Sequence, residues 1–181
     1  FAGSGTGGNS VGGFSVGTSS PLVAVAGSPF AAGTTPVGLT DEGTTLYVAN
    51  AGSATVSAFA VNALSGGLSP VSGSPFTAGT GPVYLEALAG SLYALNTGAN
   101  SVSGYSGSGL GGLTPLASSP YAATGATAAA SWTWGADRTF VLDGTGAQVI
   151  PMVRTVGTGV LTASSGVATG GTTAADLLVS P

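Results

Sequence analysis

Short apolar stretches alternate with turn residues along the chain. Between residues 82 and 118 the stretches are PVYLEAL (82–88), SLYALNT (91–97), SVSGYSG (101–107) and GLTPLAS (112–118). Val, Tyr, Leu and Thr fill them with a loose period of two, which is typical of half-buried strands. Glycine-containing breaks separate them, as expected for hairpin turns and loops. No segment combines a 3.6-residue period with helix caps, so the pattern predicts an all-β chain.

Three sequence markers recur about every 46 residues. The first is Ser-Pro-aromatic, at 28–30, 74–76 and 119–121, with a weakened copy, Ser-Gly-Val, at 165–167. The second is LYVAN (46–50), with copies at 92–96 and 139–143, and the third is ATVSAF (54–59), with copies at 9–14, 100–105 and 147–152. Three markers that share one period indicate a repeat protein. The predicted units are approximately 1–34, 35–80, 81–126 and 127–172, with 173–181 as a closing inner strand.

Four strands in about 46 residues is the size of a β-propeller blade, with a β-solenoid as the structural rival. We therefore predict four blades of four antiparallel strands, one of them shared between the N- and C-termini. The Ser-Pro-aromatic segment is expected to connect one blade's outer strand to the next blade's inner strand, since proline suits a place where no ladder N–H is needed. Phe30, Phe76 and Tyr121 are expected to pack between neighbouring blades.

The alignment of the units places the shared blade at the two ends of the chain. Phe1 enters around the strand equivalent to LYVAN, and TTAADLLVS (172–180) aligns with an inner strand. Three arrangements would complete this blade: a closed four-bladed ring, an eight-bladed ring of two chains, or a head-to-tail filament. A fourth reading is a piece of a longer propeller.

The segments GSPF, GP and LYVAN-x-GS-x-T-V-S-x-F together resemble the repeat of the lactonase-type propellers. These include 6-phosphogluconolactonase-like proteins and the YVTN repeats of some surface-layer proteins. The resemblance covers nearly the whole chain, although the family usually closes with seven blades and this chain carries four units. It implies hydrolysis of a lactone by His, Arg and acidic side chains around the channel mouth.

The amino-acid composition argues against several classes of function. The chain of 181 residues is 43% hydrophobic and 4% charged, contains no His or Cys, and has a net charge of −4. Its cations are Arg138 and Arg154, too few to neutralise nucleic-acid phosphates or to bind an anionic membrane surface. No apolar run approaches the 18 residues of a membrane span. A surface with little charge repulsion favours pairing between copies.

Richness in Ser, Thr, Gly and Ala without Lys is more typical of an exported protein. We therefore expect an extracellular or cell-surface location, with the signal peptide already removed from this chain.

Candidate catalytic residues are few, because the missing histidine removes the usual general base near neutral pH. Glu86 lies in the predicted inner strand PVYLEAL, where it lines the channel as a solvated side chain or serves as the functional acid. Asp137 and Arg138 lie in the loop GADRTF, where they form a local turn or clamp a substrate anion. We expect no metal and no cofactor.

Two further positions concern ligands. Trp132 and Trp134 share one face of a predicted inner strand, where they form inter-blade core or stack on a glycan. Asp143 stands where the other units have Asn50 and Asn96, and this position is expected to hydrogen-bond the following turn. The glycine-rich surroundings of Asp143 lack the further acids of a calcium loop.

These observations favour a non-enzymatic exported structural or interaction module that assembles into a ring or filament through its terminal strands. One alternative is a degenerate or partial lactonase-type hydrolase, which predicts acid and arginine groups that converge. The other is a propeller that binds a glycan or peptide. The predicted partners are copies of the chain, with a glycan as a further candidate.

Overall fold

The computed structural model describes residues 1–4, 8–16, 21–107, 112–128, 138–143 and 148–168, and every regular element in these ranges is a β-strand. The strands of the first unit are β1 (Ala2–Gly3), β2 (Ser10–Gly12), β3 (Phe14–Ser15), β4 (Val23–Ala24) and β5 (Phe30–Ala31). Those of the second unit are β6 (Pro36–Glu42), β7 (Thr45–Asn50), β8 (Thr55–Val61), β9 (Leu68–Pro70) and β10 (Phe76–Thr77).

The third unit contains β11 (Pro82–Leu88), β12 (Ser91–Asn96), β13 (Ser101–Gly107), β14 (Leu113–Pro115) and β15 (Tyr121–Ala122). The fourth contains β16 (Ala126–Ala128), β17 (Arg138–Asp143), β18 (Gln148–Arg154), β19 (Leu161–Ala163) and β20 (Val167–Ala168). All pairings are antiparallel, which confirms the predicted all-β, propeller-type fold. The predicted closing strand, 173–181, lies outside the described residues, so the shared blade stays a prediction.

Units two to four each form a five-stranded sheet rather than the four-stranded sheet that the sequence predicts. The first three strands run as a meander, and the third strand pairs with two short strands instead of one. In the second unit, for example, β9 pairs with one end of β8 and β10 pairs with the other end. The outer strand is therefore broken in two. The Ser-Pro-aromatic segment stays on its own sheet across the break before the chain crosses to the next unit.

A serine side chain fills the gap in this broken outer strand. The N–H groups of Gly13, between β2 and β3, and of Ala58 and Gly104, in the middle of β8 and β13, donate to the Oγ atoms of Ser28, Ser74 and Ser119 at 2.9–3.0 Å. The hydroxyl thus replaces the ladder carbonyl that the break removes. In the fourth unit the equivalent residue is Pro151, which has no N–H.

Three hydrophobic clusters lie between successive units. The first contains Val11, Val48 and Phe59, the second contains Tyr47, Leu92 and Tyr105, and the third contains Tyr93, Val141 and Met152. Phe30, Phe76 and Tyr121 belong to the first, second and third cluster respectively. Their predicted packing between blades is confirmed. Burying apolar surface in these clusters stabilises the contact between neighbouring units by about 25 cal/mol per Å².

The first strands form the inner side of the array, because β6 and β11 each lie at the edge of a sheet and pack against each other. The turn end is defined here as the end where first strands turn into second strands, at residues 43–44 and 89–90. The connection end is the opposite end, where one unit continues into the next, at residues 32–35, 78–81 and 123–125.

Candidate active site

Glu86 lies on the inner strand β11, as the sequence predicts, directly opposite Tyr93 of β12. Its side chain is half-buried. Tyr84 and Leu88, two residues before and after it, pack against the cluster between the third and fourth units. Because alternate residues of a strand share a face, Glu86 belongs to the face of its sheet that looks towards the fourth unit. The wall between these two units therefore carries a carboxylate.

Arg138 begins β17 and pairs with Val153, which places its backbone at the turn end of the fourth unit. It occupies the repeat position of Thr45 and Ser91, the first residues of β7 and β12. Asp137, Trp132 and Trp134 lie outside the described residues. The roles proposed for these four residues stay predictions.

The structure brings together an acid and an arginine that the sequence did not single out as a site. Glu42 Oε1 accepts from the N–H of Gly90 at 2.9 Å, and Arg154 Nη2 donates to the carbonyl of Ala89 at 3.1 Å. The Gly90 N–H and the Ala89 carbonyl belong to the same peptide unit. A carboxylate from the second unit and a guanidinium from the fourth therefore polarise one peptide of the third.

Arg154 is buried at the boundary between the third and fourth units, with 6% of its surface exposed. Its Nε donates to the Tyr93 hydroxyl at 3.2 Å, and its Nη2 lies 3.4 Å from Ser91 Oγ. The Tyr93 hydroxyl in turn donates to the carbonyl of Gly159. This chain of hydrogen bonds satisfies a charged group that could not otherwise be buried. Arg154 therefore works here as an inter-unit connector.

One sequence signal could have identified Arg154. It ends the third strand of its unit, where the other units have Val61 and Gly107. A charged residue at a repeat position that is otherwise small or apolar indicates a local function that the repeat itself does not require. The contact between Arg154 and Ala89 could not have been foreseen, because it depends on how neighbouring sheets are stacked.

Tyr47 occupies the position of Tyr93 one unit earlier. Burial raises the pKa of the Tyr47 hydroxyl, the nearby Glu42 carboxylate raises it further, and a hydrogen bond with Thr45 partly offsets both. The hydroxyl lies beside Gly107, the residue equivalent to Arg154. The residue beside the tyrosine hydroxyl is thus a glycine between the second and third units and an arginine between the third and fourth.

Asn50 and Asn96, which occupy the same repeat position, have a different role from the predicted one. Asn50 Oδ1 accepts from the N–H of Gly33, and its Nδ2 donates to Thr55 and Ser57. Asn96 Nδ2 likewise donates to Ser101 and Ser103. The prediction that these side chains bond the backbone of the following turn is wrong. Their amide nitrogens bond side chains of the third strand instead, and the Asn50 oxygen bonds the connection that precedes its unit. Their complete burial explains why water cannot serve instead.

Among the described residues, no three His, Cys, Asp or Glu side chains come close enough together to hold a metal ion. The same part of the chain contains no helix that could span a membrane.

The fold resembles solved lactonases. A periplasmic gluconolactonase of Pseudomonas aeruginosa superposes with a TM-score of 0.77 at 18% identity, over 91% of this chain and 49% of that one. Candidate 6-phosphogluconolactonases of Bacteroides fragilis and Bacteroides uniformis give TM-scores of 0.69 and 0.66 at 21% and 17% identity. These matches cover 87% and 89% of this chain, and 48% and 55% of theirs. The chain thus spans about half the length of these structures.

No protein-family model matches the chain, and the sequence of no curated protein does either. At these identities the likeness establishes the fold, a propeller-like lactonase fold. It does not by itself establish the reaction.

The neighbours correct one expectation. The prediction of a non-enzymatic structural module that forms a ring or filament is wrong, because proteins that share this fold are named as lactone-hydrolysing enzymes. They favour the alternative, a lactonase-type hydrolase. Glu42 and Arg154 bond the two sides of the Ala89–Gly90 peptide at the turn end. The convergence of an acid and an arginine at a channel mouth, which this alternative expects, stays a prediction. Strand pairing between copies concerns residues outside the described ranges and stays a prediction, as does export.

Proposed function

We propose that this chain belongs to an enzyme that hydrolyses a neutral sugar lactone. The observation that supports it most is the superposition on a periplasmic gluconolactonase over 91% of the chain, with a TM-score of 0.77. The lactone ring is an activated ester, so its hydrolysis needs a base for water and a group that stabilises the oxyanion. It needs neither a redox cofactor nor a covalent nucleophile.

The charges of the chain favour a neutral lactone over a phosphorylated one. Arg138 and Arg154 are its only cations, and the net charge is −4. The guanidinium of Arg154 is buried and engaged by Ala89, Ser91 and Tyr93. Recognition of a phosphate dianion ordinarily uses several Arg or Lys side chains. One remaining arginine suits the single negative charge that develops on the carbonyl oxygen.

We assign the base to Glu86 and the oxyanion partner to Arg138. Within this chain a carboxylate suits the base role, since the chain contains no His. Glu86 would accept a proton from water as the water oxygen attacks the lactone carbonyl carbon. Arg138 would stabilise the resulting oxyanion. The ring C–O bond then breaks, the ring oxygen takes the proton, and the open-chain sugar acid leaves.

The test is the hydrolysis of glucono-1,5-lactone followed in a pH-stat, with the spontaneous rate subtracted. We expect Glu86→Gln and Arg138→Gln each to lower kcat by about 10²-fold or more. Asp41→Asn, a matched loss of one carboxylate at an exposed position, should leave kcat unchanged. The phosphorylated lactone should be the poorer substrate.

Two outcomes would overturn parts of this proposal. A wild-type rate no higher than the spontaneous one would remove the activity from this chain. Activity that survives both substitutions would keep the lactonase and reject the assigned residues. Circular dichroism of each variant separates lost chemistry from lost folding.

A further inference from the structure

The third unit contains a buried oxygen that accepts no hydrogen bond. Among the described residues, Asn96 Oδ1 is the buried side-chain atom in this condition. Asn96 is completely buried, so solvent does not reach the oxygen. The Nδ2 of the same amide is fully used, because it donates to the hydroxyls of Ser101 and Ser103. Buried acceptors are nearly always paired, since an unpaired one loses its hydration without compensation. An arrangement that pairs Asn96 Oδ1 would therefore be favourable.

The second unit shows how this oxygen can be paired. Asn50 lies 46 residues before Asn96, and its Nδ2 likewise donates to two hydroxyls of the third strand. Its Oδ1 accepts from the N–H of Gly33 at 3.1 Å. Gly79 is the repeat equivalent of Gly33, but its N–H donates to Ser103 Oγ at 3.1 Å. The same backbone donor thus has a different acceptor in each unit.

One exposed position distinguishes the two connections. In the second unit, Ser53 Oγ accepts from the N–H of Thr34 at 3.2 Å, and so holds the residue that follows Gly33. The equivalent of Ser53 in the third unit is Ala99, which has no hydroxyl. The side chain that fixes connection 32–35 is therefore missing beside connection 78–81.

The third-unit connection is anchored at both ends but not by this side chain at its middle. Ala78 donates its N–H to the carbonyl of Ala54 in the second unit at 2.9 Å. The carbonyl of Gly81 accepts from the N–H and the Oγ1 of Thr97 in the third unit, at 3.0 and 3.2 Å. Residues 79 and 80 lie between these anchors, and the first of them is a glycine, the residue with the least restricted backbone. A change of hydrogen-bond acceptor needs only a local backbone rotation there.

We propose that connection 78–81 exchanges in solution between two hydrogen-bonded arrangements. In the first, the N–H of Gly79 donates to Ser103, as the structure shows. In the second, it donates to Asn96 Oδ1, as Gly33 does to Asn50. The second arrangement pairs the buried oxygen, while Ser103 keeps the Nδ2 of Asn96 as a donor. Two states that differ by the acceptor of one hydrogen bond are close enough in free energy for both to be populated.

The exchange alters a groove on the outer side of the third unit. Gly79 and Ser103 both line this groove, together with Tyr105 and Pro120. The first arrangement joins two of its lining residues by a hydrogen bond, and the second separates them. The connection is thus a small switch between two shapes of the groove. The proposal does not rest on the lactonase assignment, because none of these residues takes part in the proposed reaction.

The test is ¹⁵N relaxation dispersion on the labelled full chain, which detects exchange on the microsecond-to-millisecond timescale. We expect an exchange contribution at Gly79 and none at Gly33. Ala99→Ser restores the missing hydroxyl at an exposed position, so the variant should fold normally. It should raise the ratio of Asn96-bonded to Ser103-bonded molecules about fivefold, the effect of one net hydrogen bond. Ser53→Ala is the reciprocal exposed change, and it should introduce exchange at Gly33.

A further variant identifies the second arrangement. Ser103→Ala removes the acceptor that Gly79 uses in the structure, so the N–H of Gly79 should then donate to Asn96 alone. The amide shift of Gly79 in this variant should match the minor-state shift fitted from the wild-type dispersion. Ser57→Ala is the same change in the second unit, and it should leave Gly33 without exchange because that N–H donates to the Asn oxygen already.

Three results would overturn the proposal. The first is no exchange at Gly79 in the wild type. The second is a population ratio in Ala99→Ser equal to that of the wild type. The third is exchange confined to the side-chain amide of Asn96, which would show rotation of that amide instead of a change at the connection.

Discussion

At the scale of single residues, the serine of each Ser-Pro-aromatic segment explains why the motif repeats. Its Oγ accepts the one third-strand N–H that the broken outer strand leaves without a carbonyl. The fourth unit, with Pro151 at that position, has no such N–H to satisfy. The fourth unit still has a serine at this repeat position, Ser165, but that serine has no N–H of residue 151 to accept.

Ser74→Ala should lower the free energy of unfolding by about 1–3 kcal/mol, because it leaves the N–H of the fully buried Ala58 unpaired. The matched control is Ser165→Ala, an exposed serine beside Pro151, which should change stability by less than about 0.5 kcal/mol. Urea unfolding of both variants measures the difference. Equal losses would show that the hydroxyl does not serve the third-strand N–H.

At the scale of elements, successive units are joined by apolar packing and by hydrogen bonds, which at the turn end form a polar chain. That chain runs from Glu42 of β6 through the Ala89–Gly90 peptide to Arg154 of β18. The turn that carries the peptide has positive φ at both residues, 47° at Ala89 and 76° at Gly90. This pair of φ values is that of the tight hairpin turns that match strand twist, and it aims the peptide at both neighbouring units.

Tyr93→Phe should cost about 1–3 kcal/mol of unfolding free energy, since it removes an acceptor from the buried guanidinium and a donor from Gly159. Tyr47→Phe is the same exchange one unit earlier, where the hydroxyl lies beside Gly107 instead of an arginine. It should cost no more than about 1 kcal/mol. Thermal and urea unfolding compare the two, and a larger loss for Tyr47→Phe would contradict the role given to Arg154.

At the scale of the whole molecule, stability should fall in alkaline solution because of the buried tyrosines. Burial raises the pKa of Tyr47, Tyr105 and Tyr121. Unfolded tyrosines ionise near pH 10 while the folded ones still hold their protons. The unfolded state then binds fewer protons, so the stability that is intact below about pH 10 declines as the pH rises through the higher folded values.

Urea unfolding at pH 8, 9, 10 and 11 should therefore show a loss that begins near pH 10, with up to about 1.4 kcal/mol per pH unit for each tyrosine. The chain has no Lys, His or Cys, so tyrosines are the side chains that titrate in this range. Tyr105→Phe should make the decline shallower by the share of one tyrosine. Stability that stays constant to pH 11 would show that these hydroxyls ionise as readily in the folded state.

Part of the candidate site could be predicted and part could not. Glu86 was placed on an inner strand from the repeat alignment, and the structure has it there. Arg138 was placed in a turn between an inner strand and its neighbour, and its backbone begins β17 at that end. The peptide shared by Glu42 and Arg154 was not predicted, because its three members come from three different units.

The sequence by itself determined the strand type, the repeat length and the aromatic positions between units. Each depends on residues close together in the chain, and a period of two or of about 46 is visible without the fold. The tertiary structure alone decided which third-strand N–H needs a serine and which residues meet at Ala89–Gly90. The first depends on where the outer strand of a sheet is broken, and the second on how one sheet is aligned against the next. That alignment is set by the summed packing of many side chains, and no single stretch of sequence contains it.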